Sequence, residues 1–217
     1  MTTKDGAATP GRPKDPRVDA ALINAAIEVL AESGWARFTT TAVARRAGTS
    51  TASLYRRWPS KQVLAGAVAR HIALSELSGI DTGSLEGDVR ELLARKLRIL
   101  HTATGPALLS LMGQAAHDAE LRQILHDDVY LAVREQLETV IAQAVHRSEL
   151  DRVTDAAKLD ALTLVVIGTT LARWVFLAPA GPGSTPTDAR HIAETELGLL
   201  LAAISGTVPK SEGTGRT

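Results

Sequence analysis

Apolar residues recur three and four positions apart along almost the whole chain, and no stretch alternates apolar with polar residues beside them. A chain patterned this way must bury helix faces against other helix faces, so the expected class is all-α. The 217 residues, 45% of them apolar, supply enough core for one large or two small domains. Fibrous and wholly disordered classes are excluded. Cysteine is absent, which removes disulfides, cysteine-based zinc sites and thiol nucleophiles, and permits a reducing compartment. No apolar run reaches the roughly 18 residues of a membrane span. The opening MTTKDGAATPGRPKDPRVD lacks the apolar core of a signal peptide, so a cytoplasmic location is expected.

The net charge of zero hides an asymmetry. Residues 1–70 carry 11 basic and 5 acidic side chains, a net of +6, which leaves 13 basic and 19 acidic, a net of −6, for the remainder. A basic end suits a polyanion. On charge alone, a solvated charged surface explains it equally well.

After a Pro/Gly-rich arm, Asp15-Pro16 supplies an N-cap and a favoured first helical residue. Val18, Ala21, Leu22, Ala25, Val29 and Leu30 then mark one helix face until Ser33-Gly34 offers a left-handed stop. Thr39 can cap a helix through Ala44 and Ala47, Gly48 can take the turn, and Ser50 can cap a second short helix through Leu54 and Tyr55. This is helix-turn-helix spacing: Val43 and Leu54 fill the angle, and Thr51, Ala52, Ser53, Arg56 and Arg57 project outward, where they suit a major groove. An ordinary helical hairpin has similar spacing. Pro59 ends the second helix and Ser60 can cap the next, beginning near Lys61. Further periodic segments occupy 87–100, 120–145, 155–177 and 188–204, separated by Gly105-Pro106, the polar stretch 148–154 and AGPGSTPT at 180–187. The expected organisation is a disordered basic arm at 1–11, a helix-turn-helix domain at 12–78, a helical domain at 79–207 and a disordered tail at 208–217.

The run FTTTAVARRAGTSTASLYRRWPSKQVL, residues 38–64, closely resembles the DNA-binding segment of the TetR family of transcriptional regulators. The preceding GRPKDPRVDAALINAAIEVLAESGWARF is similar to that family's basic arm and first helix. HRSELDRVTD and the apolar helix containing Gly168 resemble C-terminal domains found in the family. The resemblance implies an all-helical homodimer, usually a repressor whose DNA affinity is changed by a small ligand.

Carried over position by position, the resemblance makes Tyr55 and Lys61 phosphate contacts, with Thr39 capping the helix whose amide end approaches the backbone. Thr51, Ala52 and Ser53 fall where the family reads bases, with Arg56 or Arg57 able to reach a guanine or a phosphate. The chain departs from the pattern at Thr51, where lysine or arginine is frequent, which removes a long-range contact and weakens any borrowed operator sequence, and at Thr41, where an acidic residue is common. Trp58 reads as a core wedge rather than a groove contact. Arg12, Lys14 and Arg17 either enter a minor groove or remain solvated.

The acidic remainder then becomes an effector-binding and dimerisation domain. Leu162, Val165, Val166, Thr169, Thr170 and Arg173 on one helix, with Ile192, Glu196, Leu199, Leu200 and Ala203 on the next, form the candidate two-fold interface, part of which could instead face the monomer core. Candidate ligand contacts are His101, Leu108, Met112, Tyr130, Arg134, Thr170 and Trp174, large or polar residues on otherwise apolar stretches. Each also has a structural reading: Met112 as core filler, Tyr130 as a core ring, His101 as a helix C-terminal charge. With aromatic residues at 3%, an apolar or modestly polar ligand fits better than an aromatic-cage drug.

No G-x-S-x-G elbow, dinucleotide glycine fingerprint, P-loop or H-E-x-x-H pair is present, which disfavours an enzyme. His117-Asp118 and His126-Asp127-Asp128 make a poor metal set, because the two histidines are nine residues apart and on unlike phases of one helix. The expected function is a ligand-responsive, DNA-binding repressor that needs no cofactor and binds a palindromic double-stranded operator as a homodimer. A helical interaction scaffold, or a non-metal enzyme without sequence-specific DNA binding, is the alternative.

Overall fold

The computed structural model describes residues 16–77, 79–100, 102–151, 154–176 and 186–206. Among them no strand is present. The helices are α1 (Pro16–Arg37), α2 (Thr40–Arg46), α3 (Thr51–Tyr55), α4 (Lys61–Leu77), α5 (Leu85–Leu100) and α6 (Thr104–Ala115), followed by α7 (Ala119–Leu125), α8 (Leu131–His146), α9 (Ala156–Phe176) and α10 (Pro186–Ser205). A π-helical turn, His126–Tyr130, joins α7 to α8. No described helix is long and apolar enough to cross a membrane.

Local chemistry accounts for the N-terminal elements. α1 buries Leu22, Ile23, Ala25, Ala26, Ile27, Val29 and Leu30, a broad apolar face, and its regular path breaks at Gly34, where φ is +66°. Thr39 caps α2 by accepting from Ala42 N at 3.1 Å, and Ser50 caps α3 by accepting from Ser53 N at 3.1 Å. Between them Gly48 takes φ +63°, the left-handed turn that lets two short helices cross steeply. Ser60 accepts from Val63 N at the start of α4.

One periodic reading is corrected and another refined. Gly105-Pro106 does not separate helices but lies in the first turn of α6, where a proline's missing N–H has no partner to lose. The expected helix at 120–145 is helical throughout but not uniform: α7 widens into the π turn at 126–130 and continues without a break as α8.

Two buried clusters result. The first joins α1–α4 with Ile99, Ala107, Leu111, Ala115, Leu121 and Leu125, so α5, α6 and α7 complete the core beneath the helix-turn-helix. The second is built from Leu77, Ile80 and residues of α5, α8, α9 and α10. α4 contributes to both, running from the helix-turn-helix at Lys61 to the second core at Leu77.

At that junction α4 approaches α7 very closely. A Cβ on Gly66 would stand 2.1 Å from Ile124 Cγ2. Gln62 Nε2 donates to Asp118 at 3.3 Å one turn before, and Arg70 pairs with Asp128 of the π turn at 3.2 Å one turn after.

Candidate nucleic-acid interface and ligand cavity

α3 buries only Leu54 and turns Ala52, Tyr55 and, just beyond it, Arg56 to solvent, with Thr51 and Ser53 half-buried at its start. The Tyr55 hydroxyl lies 3.0 Å from Thr40 Oγ1, which fixes the phenol across the two helices of the motif. Among the described residues Arg56 has no ion pair, so its guanidinium is available to a phosphate or a base edge.

Arg57 is different. Its side chain is 9% exposed, pairs with Asp19 of α1 and donates to Ser53 O at 3.1 Å and Ser53 Oγ at 3.0 Å. The reading of Arg57 as an outward residue is therefore corrected: it fastens α3 to α1. Lys61 is also partly withdrawn. Its Nζ donates to Trp35 O at 2.8 Å and stands 3.8 Å from the Trp35 ring centroid, and burial pulls its pKa down. The lysine thus closes the carbonyl end of α1 beside the motif. Trp58 packs against the first core. Arg12 and Lys14 lie outside the described residues.

A cavity of about 70 Å³ lies between the two cores, walled by Ala69, Ile72 and Ala73 of α4, Leu108 and Met112 of α6, Val129 of the π turn, and Val166, Ile167 and Thr170 of α9. Three of the sequence-derived ligand candidates, Leu108, Met112 and Thr170, are on its wall. Two others are not on that wall. Tyr130 stacks on His126 with centroids 5.1 Å apart, and Arg134 pairs with Asp160 of α9 at 2.8 Å and Glu138 at 3.3 Å, both side chains being half-buried. His101 lies outside the described residues, as does the Trp174 side chain.

The sequence reading missed Lys96. Its side chain is 3% exposed and lines the cavity, while its Nζ donates to Thr169 Oγ1 at 2.7 Å and to Glu196. Glu196 also receives Arg173 NH1 at 3.2 Å. Burial pulls Lys96 below the ordinary lysine range against the opposing pull of Glu196. Burial raises the Glu196 pKa, but hydrogen bonds from Lys96 and Thr169 and the charges of Lys96 and Arg173 leave it below its usual value.

These groups sit behind a second concavity of about 890 Å³ on the outer face of α9 and α10, where Val165, Phe176, Ile192 and Leu199 are exposed. Phe176 is 80% and Leu199 62% exposed, a large apolar surface for one chain. Ala203 also lies on this face. Val166 is 3% exposed and turns to the inner cavity, so its assignment to an interface is corrected, whereas Leu162 and Leu200, 4% and 3% exposed, pack in the second core and still reach the floor of the outer concavity. Thr169, Arg173 and Glu196 form a half-buried polar layer between core and face.

No group of three histidine, aspartate or glutamate side chains suited to a metal gathers among the described residues. Asp118 instead caps α7 through Leu121 N at 3.0 Å, and His126 is 3.0 Å from Asp127 on the exposed surface.

Residues 22–68 match the family model described as bacterial regulatory proteins, tetR family, and residues 80–195 match that described as tetracyclin repressor-like, C-terminal domain. The chain is 30% identical over 134 residues to the DNA-binding transcriptional repressor TetR of Mycobacteroides abscessus, an alignment covering 60% of this chain and 69% of that protein. It is 26% identical over 140 residues to the uncharacterized HTH-type transcriptional regulator YdeS of Bacillus subtilis, covering 64% and 71%. Among solved structures, the TetR family transcription regulator SCO0332 superposes with a TM-score of 0.65 at 24% identity, over 89% of this chain and 100% of that one.

Proposed function

The chain belongs to the TetR family of transcriptional regulators, and from that premise we propose that it is a homodimeric repressor released from a palindromic operator by a small effector bound between its two cores. It acts in the cytoplasm and performs no enzymatic reaction. The observation that carries this reading is α4, a single helix that begins at the helix-turn-helix and ends as a wall of the cavity. Anything that widens the cavity bears on the element holding α3.

On DNA, Tyr55, the amide end of α2 capped by Thr39, and Lys61 position the domain on phosphates, and Thr51, Ala52, Ser53 and Arg56 meet base edges. Lys61 would have to exchange its Trp35 carbonyl for a phosphate, which makes its contact conditional on DNA. The outer face of α9 and α10 seats a second copy, with Val165, Phe176, Ile192 and Leu199 supplying the apolar centre. Two copies related by a two-fold axis set their α3 helices on successive major-groove turns.

Effector entry displaces α4, α6 and the π turn. The three links from α4 to Asp118, Ile124 and Asp128 make α4 move with α7 and the π turn rather than alone. Linkage requires the effector to bind the DNA-free arrangement more tightly than the DNA-bound one.

The test is selection of bound sequences from a random double-stranded pool by the purified full chain at stated salt. Enrichment of a two-fold symmetric motif bound by two chains is expected. A folded protein that enriches nothing at low salt contradicts the reading and favours a helical scaffold.

A further inference from the structure

The cavity between the cores offers a ligand almost nothing polar. Its walls are aliphatic, and the two polar side chains that reach it have spent their polar atoms elsewhere. Thr170 Oγ1 donates to Val166 O at 2.7 Å, within its own helix. The Lys96 ammonium is turned through the wall towards Thr169 and Glu196, leaving its methylene stem towards the cavity. Two of the three Lys96 ammonium hydrogens are taken, by Thr169 and Glu196, so a carboxylate entering here would have to compete with Glu196 for a charge turned away from it, and an ammonium would meet no free acceptor while facing that charge. Each would lose its hydration without replacement.

Size adds a second constraint. About 70 Å³ is well below the roughly 150 Å³ of an apolar cavity known to hold benzene. A ligand with a ring must therefore push the walls apart. The walls able to yield are Met112, an unbranched thioether chain, and Leu108, both of α6, which packs against α1 of the DNA-binding core.

We propose that the effector is an uncharged, compact hydrocarbon-like molecule, a single ring or short branched chain, and that the occupied Lys96 and Thr170 make the site select against acids and amines. This rests on the reading of the cavity as the effector site. It does not depend on operator binding, so the experiment uses the full chain without DNA.

Ethylbenzene, benzoate and benzylamine are near-isosteres that differ in charge, and their binding is followed by ligand-observed NMR and thermal shift. Ethylbenzene is expected to bind and raise the melting temperature, with benzoate and benzylamine at least tenfold weaker. Ala73→Phe, which fills the cavity, is expected to abolish ethylbenzene binding. Should that variant fail to fold, Met112→Trp serves the same purpose. Thr170→Val is expected to leave ethylbenzene affinity within twofold, because the hydroxyl faces its own helix. Benzoate binding as tightly as ethylbenzene and losing affinity in Lys96→Met would overturn the proposal, since Lys96 would then exchange Glu196 for the ligand. Absence of ethylbenzene binding, or binding indifferent to both filling variants, would overturn it equally. Failure to select an operator, with ethylbenzene still bound in the cavity, would count against the regulator reading and leave the ligand class standing.

Discussion

Gly66 of α4 sits against Ile124 of α7 so closely that a methyl group on its Cα would lie 2.1 Å from Ile124 Cγ2 and 3.0 Å from Asp128 Oδ2. Glycine inside a helix costs about 1 kcal/mol relative to alanine, so close helix packing is what offsets its presence here. Gly66→Ala is expected to destabilise the fold by about 1–3 kcal/mol despite its better helix propensity, because a β-branched side chain on a packed helix cannot withdraw. Chemical denaturation checks this. Ile124→Ala combined with Gly66→Ala is expected to cost less than the sum of the two single changes.

The two adjacent arginines after α3 should separate stability from DNA affinity. Arg56→Ala is expected to leave the melting temperature unchanged, since Arg56 has no ion pair among the described residues, and to weaken DNA binding. Arg57→Ala is expected to cost about 1 kcal/mol of stability through loss of Asp19 and the two Ser53 bonds, an exposed partner limiting the effect. Thermal unfolding and fluorescence anisotropy on the same samples give both quantities.

What could be read from sequence was what is fixed locally. Thr39, Gly48, Ser50 and Ser60 act within three or four residues of themselves, and the structure has each in the cap or turn its type favours. α6 escaped because a Gly-Pro pair stops a helix in its interior but starts one at its first turn, and only the surrounding packing distinguishes these. Arg57 escaped because its partner, Asp19, is 38 residues away. Lys96 did carry a signal: Leu85, Val89, Leu92, Lys96 and Ile99 fall on one face of α5, so a lysine stands in a row of core positions. The arginines at 95 and 98 disguised it as part of a solvated surface. On α9 and α10, apolar residues surround both helices, and periodicity alone could not divide Leu200, which is buried, from Leu199, which is not.

That division predicts opposite phenotypes for neighbouring leucines. Leu199→Glu is expected to leave the chain folded and shift it from dimer to monomer in sedimentation, because the side chain lies on the exposed α9–α10 face. Leu200→Ala is expected to act chiefly on folding, destabilising by about 2–5 kcal/mol through a core cavity. Equal loss of folding in both would contradict the assignment.

Asp88 supplies a pH dependence. It is fully buried and accepts from Thr82 N at 2.6 Å, Thr82 Oγ1 at 2.8 Å and Arg147 at 2.7 Å. Burial raises its pKa, but these bonds and the Arg147 charge hold it below the ordinary 3.8. Near that pH the unfolded chain binds the extra proton, so the carboxylate's stabilisation is complete well above 3.8 and is lost as the pH falls through the lower folded value. Asp88→Asn is expected to cost about 2–3 kcal/mol at neutral pH, and the gap between the two proteins should narrow below pH 4. Urea titrations across pH measure that gap.

The salt dependence of binding to a selected operator, for the wild type and Arg56→Ala, tests most directly whether α3 is the element that meets DNA. Log affinity should fall linearly with log salt. The substitution should either reduce the slope by about 1, if Arg56 holds a phosphate, or lose about 1–3 kcal/mol of discrimination at one base pair, if it reads a base. An Arg56→Ala protein with unchanged affinity, slope and sequence preference, joined by a triple change of Thr51, Ser53 and Tyr55 to alanine that also leaves them unchanged, would contradict α3 as the DNA-reading helix.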